Sequence, residues 1–277
     1  MGFIDAHVHV WTSDVETYPL APGYSTQQME PPSFTAEELF AHSQPCGIDR
    51  VVLIQMSFYG SDNRYLLDTI ARWPEVFRGV AVVHHERGDL GDEMQRLRQG
   101  GVRGFRVYQL AAGASVPLDS TEYETLCGLA GDLGMAICPL LAPPLLPAVG
   151  RAAGRFPGTT FIIDHLARIG AGKAIEQAET VALCALAGHP NCCVKVSAFY
   201  ALGAARPPHD DLAPLIRQVH KAFGAERLMW ATDCPYQVLD ETYEDSLALV
   251  RDRLPFLTDR DRAAILEGTA ARVFLQD

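Results

Sequence analysis

The chain has 277 residues, of which 48% are hydrophobic and 21% are charged, and its formal net charge at pH 7 is −11. This composition is typical of a globular protein with a large core, and the negative charge disfavours nonspecific binding to nucleic acid or to an anionic membrane. The seven cysteines form no regular framework and no apolar run is long enough to span a bilayer, which predicts a reduced, cytoplasmic protein without a membrane segment.

Short aliphatic runs recur along the chain, and a helical pattern follows each of them. The first run leads into a proline-rich loop at about 12–34, which predicts an active-site loop, because long irregular loops in compact domains are commonly functional. The predicted strands cover residues 3–9, 50–55, 80–83, 102–108, 135–141, 160–164, 192–197 and 228–232. The predicted helices cover residues 35–46, 62–73, 90–98, 120–133, a stretch ending near 155, 173–187, 211–223, 243–253 and 259–267.

This alternation predicts a single-domain α/β fold, a (β/α)8 barrel of the TIM type over residues 1–277. Strands that are apolar throughout are typical of a parallel sheet that is buried on both faces. Eight strand–helix units in one domain of this length favour a closed barrel. The alternative is an open doubly wound sheet, which is disfavoured because no glycine-rich fingerprint follows the first strand.

Polar residues are concentrated where the predicted strands end, the place at which such barrels carry their catalytic site. Alternate residues of a strand share a face, so His7 and His9 are expected to lie side by side. The same spacing pairs Arg106 with Tyr108, and Lys195 with Ser197. The other polar strand ends are His84, His85, Asp164, His165 and Asp233. The candidate site consists above all of His7, His9, His165 and Asp233.

Several of these residues also have simpler interpretations. His84 and His85 are as readily hydrogen-bonded loop residues as ligands, and their roles stay open. Asp164 is expected to orient a neighbour or to face the helix layer, because His165 follows it with opposite parity. Lys195 could pair with a buried carboxylate.

Two further groups can be interpreted in the same way. The thiols of Cys138 and Cys234 are expected to fill core space, because nothing in the sequence indicates an activating base. Arg168 either caps a loop or binds an acidic substrate.

Three short segments resemble signatures of the amidohydrolase superfamily. They are Asp5-Ala6-His7-Val8-His9, Asp164-His165-Leu166 and Thr232-Asp233-Cys234-Pro235, and the resemblance extends to residues 265–272. The amidohydrolase-2 branch, with its sugar lactonases, pyrone dicarboxylate lactonase and metal-dependent decarboxylases, is the most similar. The resemblance implies a TIM-type barrel and an enzyme that acts on a small molecule.

The resemblance also implies roles for the four site residues. His7 and His9 match the first-strand pair that binds metal or, in some lactonases, substrate. His165 matches the histidine that polarises the reacting carbonyl or binds metal, and Asp233 matches the aspartate that activates water and can ligate the metal. Strand five lacks the histidine of many metal-dependent members, and strand four lacks the lysine that, when carboxylated, bridges two metals, so a binuclear site is not expected. The resemblance implies a single zinc or manganese ion bound by His7, His9 and Asp233, with His165 as a further ligand. A metal-free site is the alternative.

The favoured function is hydrolysis of a lactone, or a related cyclic ester, that is small and in some cases carboxylated. Asp233 would take a proton from water, Arg106 and Arg168 would bind a substrate carboxylate, and Tyr108 would donate to a ring or carbonyl oxygen. One alternative is metal-dependent nonoxidative decarboxylation of an aromatic or unsaturated acid. Another is a non-catalytic barrel that binds a small acid. The substrate and the oligomeric state stay open, a homo-oligomer being one expectation.

Overall fold

The structure, a computed structural model, describes residues 2–109 and 116–276. In these ranges eight parallel strands form one sheet in which each strand pairs with the next along the chain. The strands are β1 Phe3–Val8, β2 Ile48–Ile54, β3 Phe77–Ala81, β4 Val102–Gln109, β5 Ala136–Leu141, β6 Thr160–Ile163, β7 Cys192–Val196 and β8 Leu228–Trp230. The order confirms the predicted barrel topology.

The sheet closes where the chain just after β8 meets the end of β1. Val8 forms a parallel bridge with Cys234. The backbone N–H of His9 donates to the carbonyl of Cys234 at 2.8 Å, and that of Asp233 donates to the carbonyl of His7 at 2.9 Å. This closure places the histidine pair of β1 directly beside Asp233.

Helices surround the barrel, and their positions follow the predicted alternation. They are α1 Ala36–Ser43, α2 Arg64–Arg72, α3 Leu90–Gln99, α4 Glu124–Asp132, α5 Leu146–Arg155, α6 Gln177–Ala185, α7 Ala213–Phe223, α8 Gln237–Asp240, α9 Tyr243–Asp252, α10 Asp259–Ala263 and α11 Thr269–Phe274. Among the described residues, no helix combines the length and the apolar character needed to cross a bilayer.

Local chemistry accounts for the start of α1 and for the misplaced bounds of β3. Thr35 caps α1, and the carboxylate of Glu38 accepts a hydrogen bond from the backbone N–H of Thr35, as the capping-box pattern predicts. The prediction of β3 at 80–83 was wrong, since the strand begins at Phe77. Arg78 interrupts the apolar run of the sequence, but its Nη1 atom donates to the carbonyls of Pro74 and Phe77.

The core has two layers, one inside the barrel and one between the strands and the helices. Small and aliphatic side chains fill the barrel interior, and Phe274 of α11 packs with them. Larger apolar side chains fill the outer layer between sheet and helices. Because all eight strands are parallel, their polar carboxyl ends meet at the same end of the barrel.

The loop at about 12–34 lies beside that polar end. It is anchored by a bridge between Trp11 and Phe34, and the backbone N–H of Ala21 donates to the carbonyl of Phe58 at 2.8 Å. Tyr18 donates to Asp68 of α2. Among the described residues that line the cavity at this end, none belongs to the loop. Its role as an active-site loop stays a prediction.

Candidate active site

The two histidines of the first strand face the same way and converge on one carboxylate. Their Nε2 atoms lie 3.3 Å apart. The Oδ1 atom of Asp233 is 3.4 Å from Nε2 of His7 and 3.2 Å from Nε2 of His9. The Nδ1 atom of His9 lies 2.9 Å from the carbonyl oxygen of Ile54. That neighbour is an acceptor, so His9 donates through Nδ1, and its Nε2 faces Oδ1 of Asp233.

A left-handed turn follows β6 and carries two of the predicted residues. His165, Leu166, Ala167 and Arg168 have φ angles of 52°, 51°, 56° and 59°. Non-glycine residues adopt this conformation at a cost of about 1–2 kcal/mol each. The turn directs His165 and Arg168 into the cavity and buries Leu166 and Ala167 in the core. It also directs both Asp164 and His165 inward, so the expectation that Asp164 faces the helix layer was wrong.

Asp233 presents two oxygens in different surroundings. Its Oδ2 accepts a hydrogen bond of 2.7 Å from the hydroxyl of Tyr200, whereas Oδ1 is buried without a hydrogen-bond partner among the described residues. Burial alone would raise the pKa of this carboxyl, but His165, His9 and His7 hold the pKa well below its ordinary value. The carboxylate is therefore ionised, with Oδ1 directed at the two histidine Nε2 atoms.

Tyr200 was not singled out from the sequence. Burial, followed by the charge of Asp233, raises the pKa of its phenol far above the ordinary value, so the hydroxyl stays protonated and donates. The sequence contains a weak signal for it, since Tyr200 lies three residues beyond Ser197 in the loop that follows β7. Tyr236, three residues after Asp233, was missed in the same way.

Asp5 lies behind the site and connects two of its segments, and the sequence analysis did not assign it to the site. Its carboxylate accepts hydrogen bonds from the backbone N–H groups of His7 and Thr232, each within 3.1 Å, and from the hydroxyls of Thr232 and Tyr243. Burial raises the pKa of Asp5 to about 6 despite these bonds. Asp5 thus ties β1 to the segment after β8, and fixes the backbone of His7 relative to that of Asp233.

A buried charge network forms the floor of the site. Asp164 lies 3.0 Å from Nζ of Lys195, 3.4 Å from the guanidinium of Arg106 and 3.4 Å from Nδ1 of His7. Burial alone would raise the pKa of Asp164, but Lys195, His7 and Arg106 hold it well below its ordinary value. Lys195 therefore does pair with a buried carboxylate, and Asp164 orients its neighbour His7.

Both inner histidines are neutral. Burial, reinforced by the charge of Lys195, lowers the pKa of His7 well below its ordinary value, and burial lowers that of His165 to about 4. Nε2 of His7 lies 3.0 Å from the guanidinium of Arg106, which can only donate. Nδ1 of His7 in turn lies 3.1 Å from Nζ of Lys195, which also can only donate, and 3.4 Å from Oδ1 of Asp164, so cations flank the ring on both sides. Nδ1 of His165 lies 2.9 Å from the hydroxyl of Ser197.

These groups surround a cavity of about 290 Å³, which suits a small substrate. Its lining consists of His9, Met56, Ser57, Arg106, Tyr108, Leu140, His165, Arg168, Ala198, Tyr200, Ala201, Leu202, Asp233 and Tyr236. His7 lies beneath this lining.

The guanidinium of Arg106 lies 5.4 Å from the ring of Tyr108, so these two share a face as their spacing predicts. Arg168 is exposed and has no ion-pair partner among the described residues.

Other candidates lie outside the cavity. The ring of His85 stacks 4.4 Å from that of Tyr123, and neither His84 nor His85 is among the described lining residues. Burial raises the pKa of Cys138 to about 12, and that of Cys234 well above its ordinary value. The two thiols therefore pack in the core, as predicted.

His7, His165 and Asp233 could hold a metal ion, since each offers a ligand atom and these atoms lie within 4.8 Å of one another. The unpartnered Oδ1 of Asp233 suits such an ion. His9 is not part of this group, although its Nε2 contacts Asp233. An ion on Nε2 of His7 would displace the hydrogen bond from Arg106, because both need the same lone pair.

Comparisons with known proteins identify the family of this chain. A family model described as amidohydrolase matches residues 4–275. The L-fucono-1,5-lactonase of Burkholderia ambifaria is 31% identical, over 99% of this chain and 96% of its own. The 2-pyrone-4,6-dicarboxylate hydrolase of Comamonas testosteroni is 29% identical, over 92% of this chain and 84% of its own. A crystal structure of an amidohydrolase from Burkholderia multivorans shares the fold, with a TM-score of 0.84, 21% identity and full coverage of both chains.

Proposed function

The chain belongs to the amidohydrolase family, and from this premise we propose that it hydrolyses a lactone of a small substrate. The observation that carries the proposal is the buried, unpartnered Oδ1 of Asp233 beside a cavity lined by His9 and His165. The similarity to proteins named as a sugar lactonase and a pyrone dicarboxylate hydrolase supports this choice of reaction.

The proposed reaction uses Asp233 as the base. Its Oδ1 accepts a proton from water, and the water oxygen attacks the lactone carbonyl. The resulting tetrahedral intermediate collapses with cleavage of the ring C–O bond, and Asp233 returns the proton to the leaving oxygen. The product is a hydroxy acid, so one water is consumed and the carboxylate base is regenerated.

The charge that develops on the carbonyl oxygen needs donors that are already in place. The guanidinium of Arg106 lines the cavity and is held by Asp164 and His7. His165 lines the same cavity and is oriented by Ser197. We assign the stabilisation of the oxyanion to Arg106 and His165, and substrate contact to His9 and Tyr108.

A single divalent ion, zinc or manganese, would be held by His7, His165 and Asp233. Such an ion would supply Lewis-acid polarisation of the carbonyl. Metal analysis of the purified protein, with hydrolysis rates measured before and after dialysis against a chelator, tests this assignment. Full activity in metal-depleted protein would favour the alternative, in which Arg106 and the histidines act without an ion.

Arg168 is proposed to bind a carboxylate of the substrate, because its guanidinium lies at the cavity wall without an ion-pair partner among the described residues. We expect Arg168→Gln to lower kcat/KM for a carboxylated lactone by about 10- to 100-fold, the range for one charge-assisted hydrogen bond. An uncharged lactone of the same ring is the control, and its kcat/KM should change by less than about threefold. Equal losses on both substrates would contradict the carboxylate role.

The function itself is tested by a screen of sugar, muconate-type and pyrone lactones with a pH indicator that reports acid release. We expect ring opening of at least one carboxylated lactone by the wild type. Release of carbon dioxide without ring opening would instead support the decarboxylase alternative. Ligand binding without turnover would support a non-catalytic barrel.

A further inference from the structure

Two loops at the mouth of the barrel each contribute a tyrosine to the cavity wall. The loop of residues 197–212 follows β7 and carries Tyr200, and the loop region of residues 231–242, which includes the short helix α8, follows β8 and carries Tyr236. The two rings lie 6.4 Å apart. The position of Tyr200 relative to Asp233 therefore depends on how these loops are held together.

A buried polar group joins the two loops on the side away from the cavity. The Nε2 atom of His209 lies 2.9 Å from Oε2 of Glu241, and their side chains are 0% and 5% exposed. Gln237 donates to the same oxygen at 2.8 Å. We call His209, Gln237 and Glu241 the loop clasp. A hydrogen bond to a charged group that is shielded from water is strong and well ordered.

The loop clasp is next to both tyrosines. The ring of His209 lies 5.8 Å from that of Phe199, the residue before Tyr200. Phe199 is fully buried, so it transmits the position of His209 to the backbone of Tyr200. On the opposite side, Gln237 directly follows Tyr236.

The first loop requires such support because its backbone is strained at both ends. Ala198 and His209 have φ angles of 57° and 62°, and neither is a glycine. Residues in this conformation persist when their surroundings hold them, and they are concentrated at functional sites. Two described contacts that involve a charged group join this loop to the segment after β8: the bond from Tyr200 to Asp233, and the clasp.

Resting on the proposed function of Asp233, we propose that His209 and Glu241 are positioning residues for the reaction. They hold Tyr200 so that its hydroxyl occupies Oδ2 of Asp233 and leaves Oδ1 to take the proton from water. The clasp acts through Tyr200 and touches no substrate itself.

A double-mutant cycle tests this coupling. Tyr200→Phe should lower kcat about tenfold with less than a threefold change in KM, as expected for loss of one hydrogen bond to a charged group. His209→Ala should lower kcat by a similar factor. The kcat of the combined variant should stay within about threefold of the kcat of the less active single variant, because both changes remove the same interaction. A product of the two effects, about a hundredfold loss, would overturn the proposal.

Further variants separate positioning from simple loss of structure. His209→Gln retains an amide donor toward Glu241 and should keep kcat within about threefold of the wild type; a loss equal to that of His209→Ala would count against the clasp. Glu241→Ala breaks the pair from the other side at an ordinary φ of −133°, without the backbone strain that alanine adds at His209, and it decides the matter if His209→Ala does not fold or loses activity through strain. Arg253→Gln is the matched control, since it removes an exposed 2.8 Å link from Asp210 of the same loop and should leave kcat within about twofold.

Hydrogen–deuterium exchange provides a readout that needs no turnover. Amides of residues 197–212 should exchange faster in His209→Ala than in the wild type or in Arg253→Gln. Unchanged exchange would show that the clasp does not hold the loop. If the wild type hydrolyses no lactone, the proposed function fails, and the exchange result still decides whether the clasp exists.

Discussion

Replacement of Asp233 by asparagine is expected to lower kcat for the hydrolysed lactone by about 10²- to 10⁴-fold, the contribution of a positioned general base. The amide cannot accept a proton from water at the position where Oδ1 lies between His7 and His9. The fold should survive, because asparagine tolerates the left-handed conformation that Asp233 adopts at a φ angle of 70°. Initial rates with saturating substrate measure the effect.

The controls for this variant concern the structure rather than the rate. Thermal unfolding and circular dichroism should match the wild type within a few degrees, since Tyr200 can still donate to the amide oxygen. An alanine at the same position would confound the test, because it adds backbone strain at a positive φ. Turnover within tenfold of the wild type would remove Asp233 from its assigned role.

Replacement of Lys195 by methionine is expected to destabilise the protein by about 3–5 kcal/mol, the usual cost of removing one partner from a buried ion pair. Lys195 is fully buried, and its Nζ is the nearest cation to Asp164, at 3.0 Å. Methionine preserves the unbranched shape, so the loss reports mainly the missing charge. Denaturant unfolding measures the change in the free energy of unfolding, and the melting temperature should fall by about 6–20 °C.

A second substitution tests whether the unpaired charge of Asp164 causes the loss of stability in Lys195→Met. Combining Lys195→Met with Asp164→Asn removes one charge of each sign, so the double variant should unfold less readily than Lys195→Met alone. Lys173→Met is the matched surface control: it removes a 2.6 Å contact with Glu179 from a half-exposed lysine and should cost less than about 1 kcal/mol. A double variant as unstable as the sum of its two single variants would contradict this explanation.

The strand ends that carry the chemistry were readable from local sequence. The alternation at His7 and His9 predicted a shared face, and the contact of both Nε2 atoms with Asp233 agrees with it. The pairing of Arg106 with Tyr108 was predicted on the same grounds. Such predictions succeed because the period of a strand depends only on neighbouring residues.

The alternation of faces does not hold beyond the last residue of a strand. Parity assigned Asp164 and His165 to opposite faces, but β6 ends at Ile163 and the left-handed turn directs both inward. No glycine marks that turn, so the usual sequence signal for a positive φ is missing. Tyr200 was missed for a similar reason, since its bond to Asp233 joins two different loops.

The sequence by itself determined the barrel, the strands that bear polar ends and the family, because burial patterns and short motifs are written in adjacent residues. Only the tertiary structure decided which polar groups meet. It placed Lys195 and Arg106 around Asp164 beneath His7, set Tyr200 on one oxygen of Asp233 and left the other oxygen unpartnered. These contacts join residues far apart in the chain, and their geometry depends on barrel closure and loop packing, which no local pattern specifies.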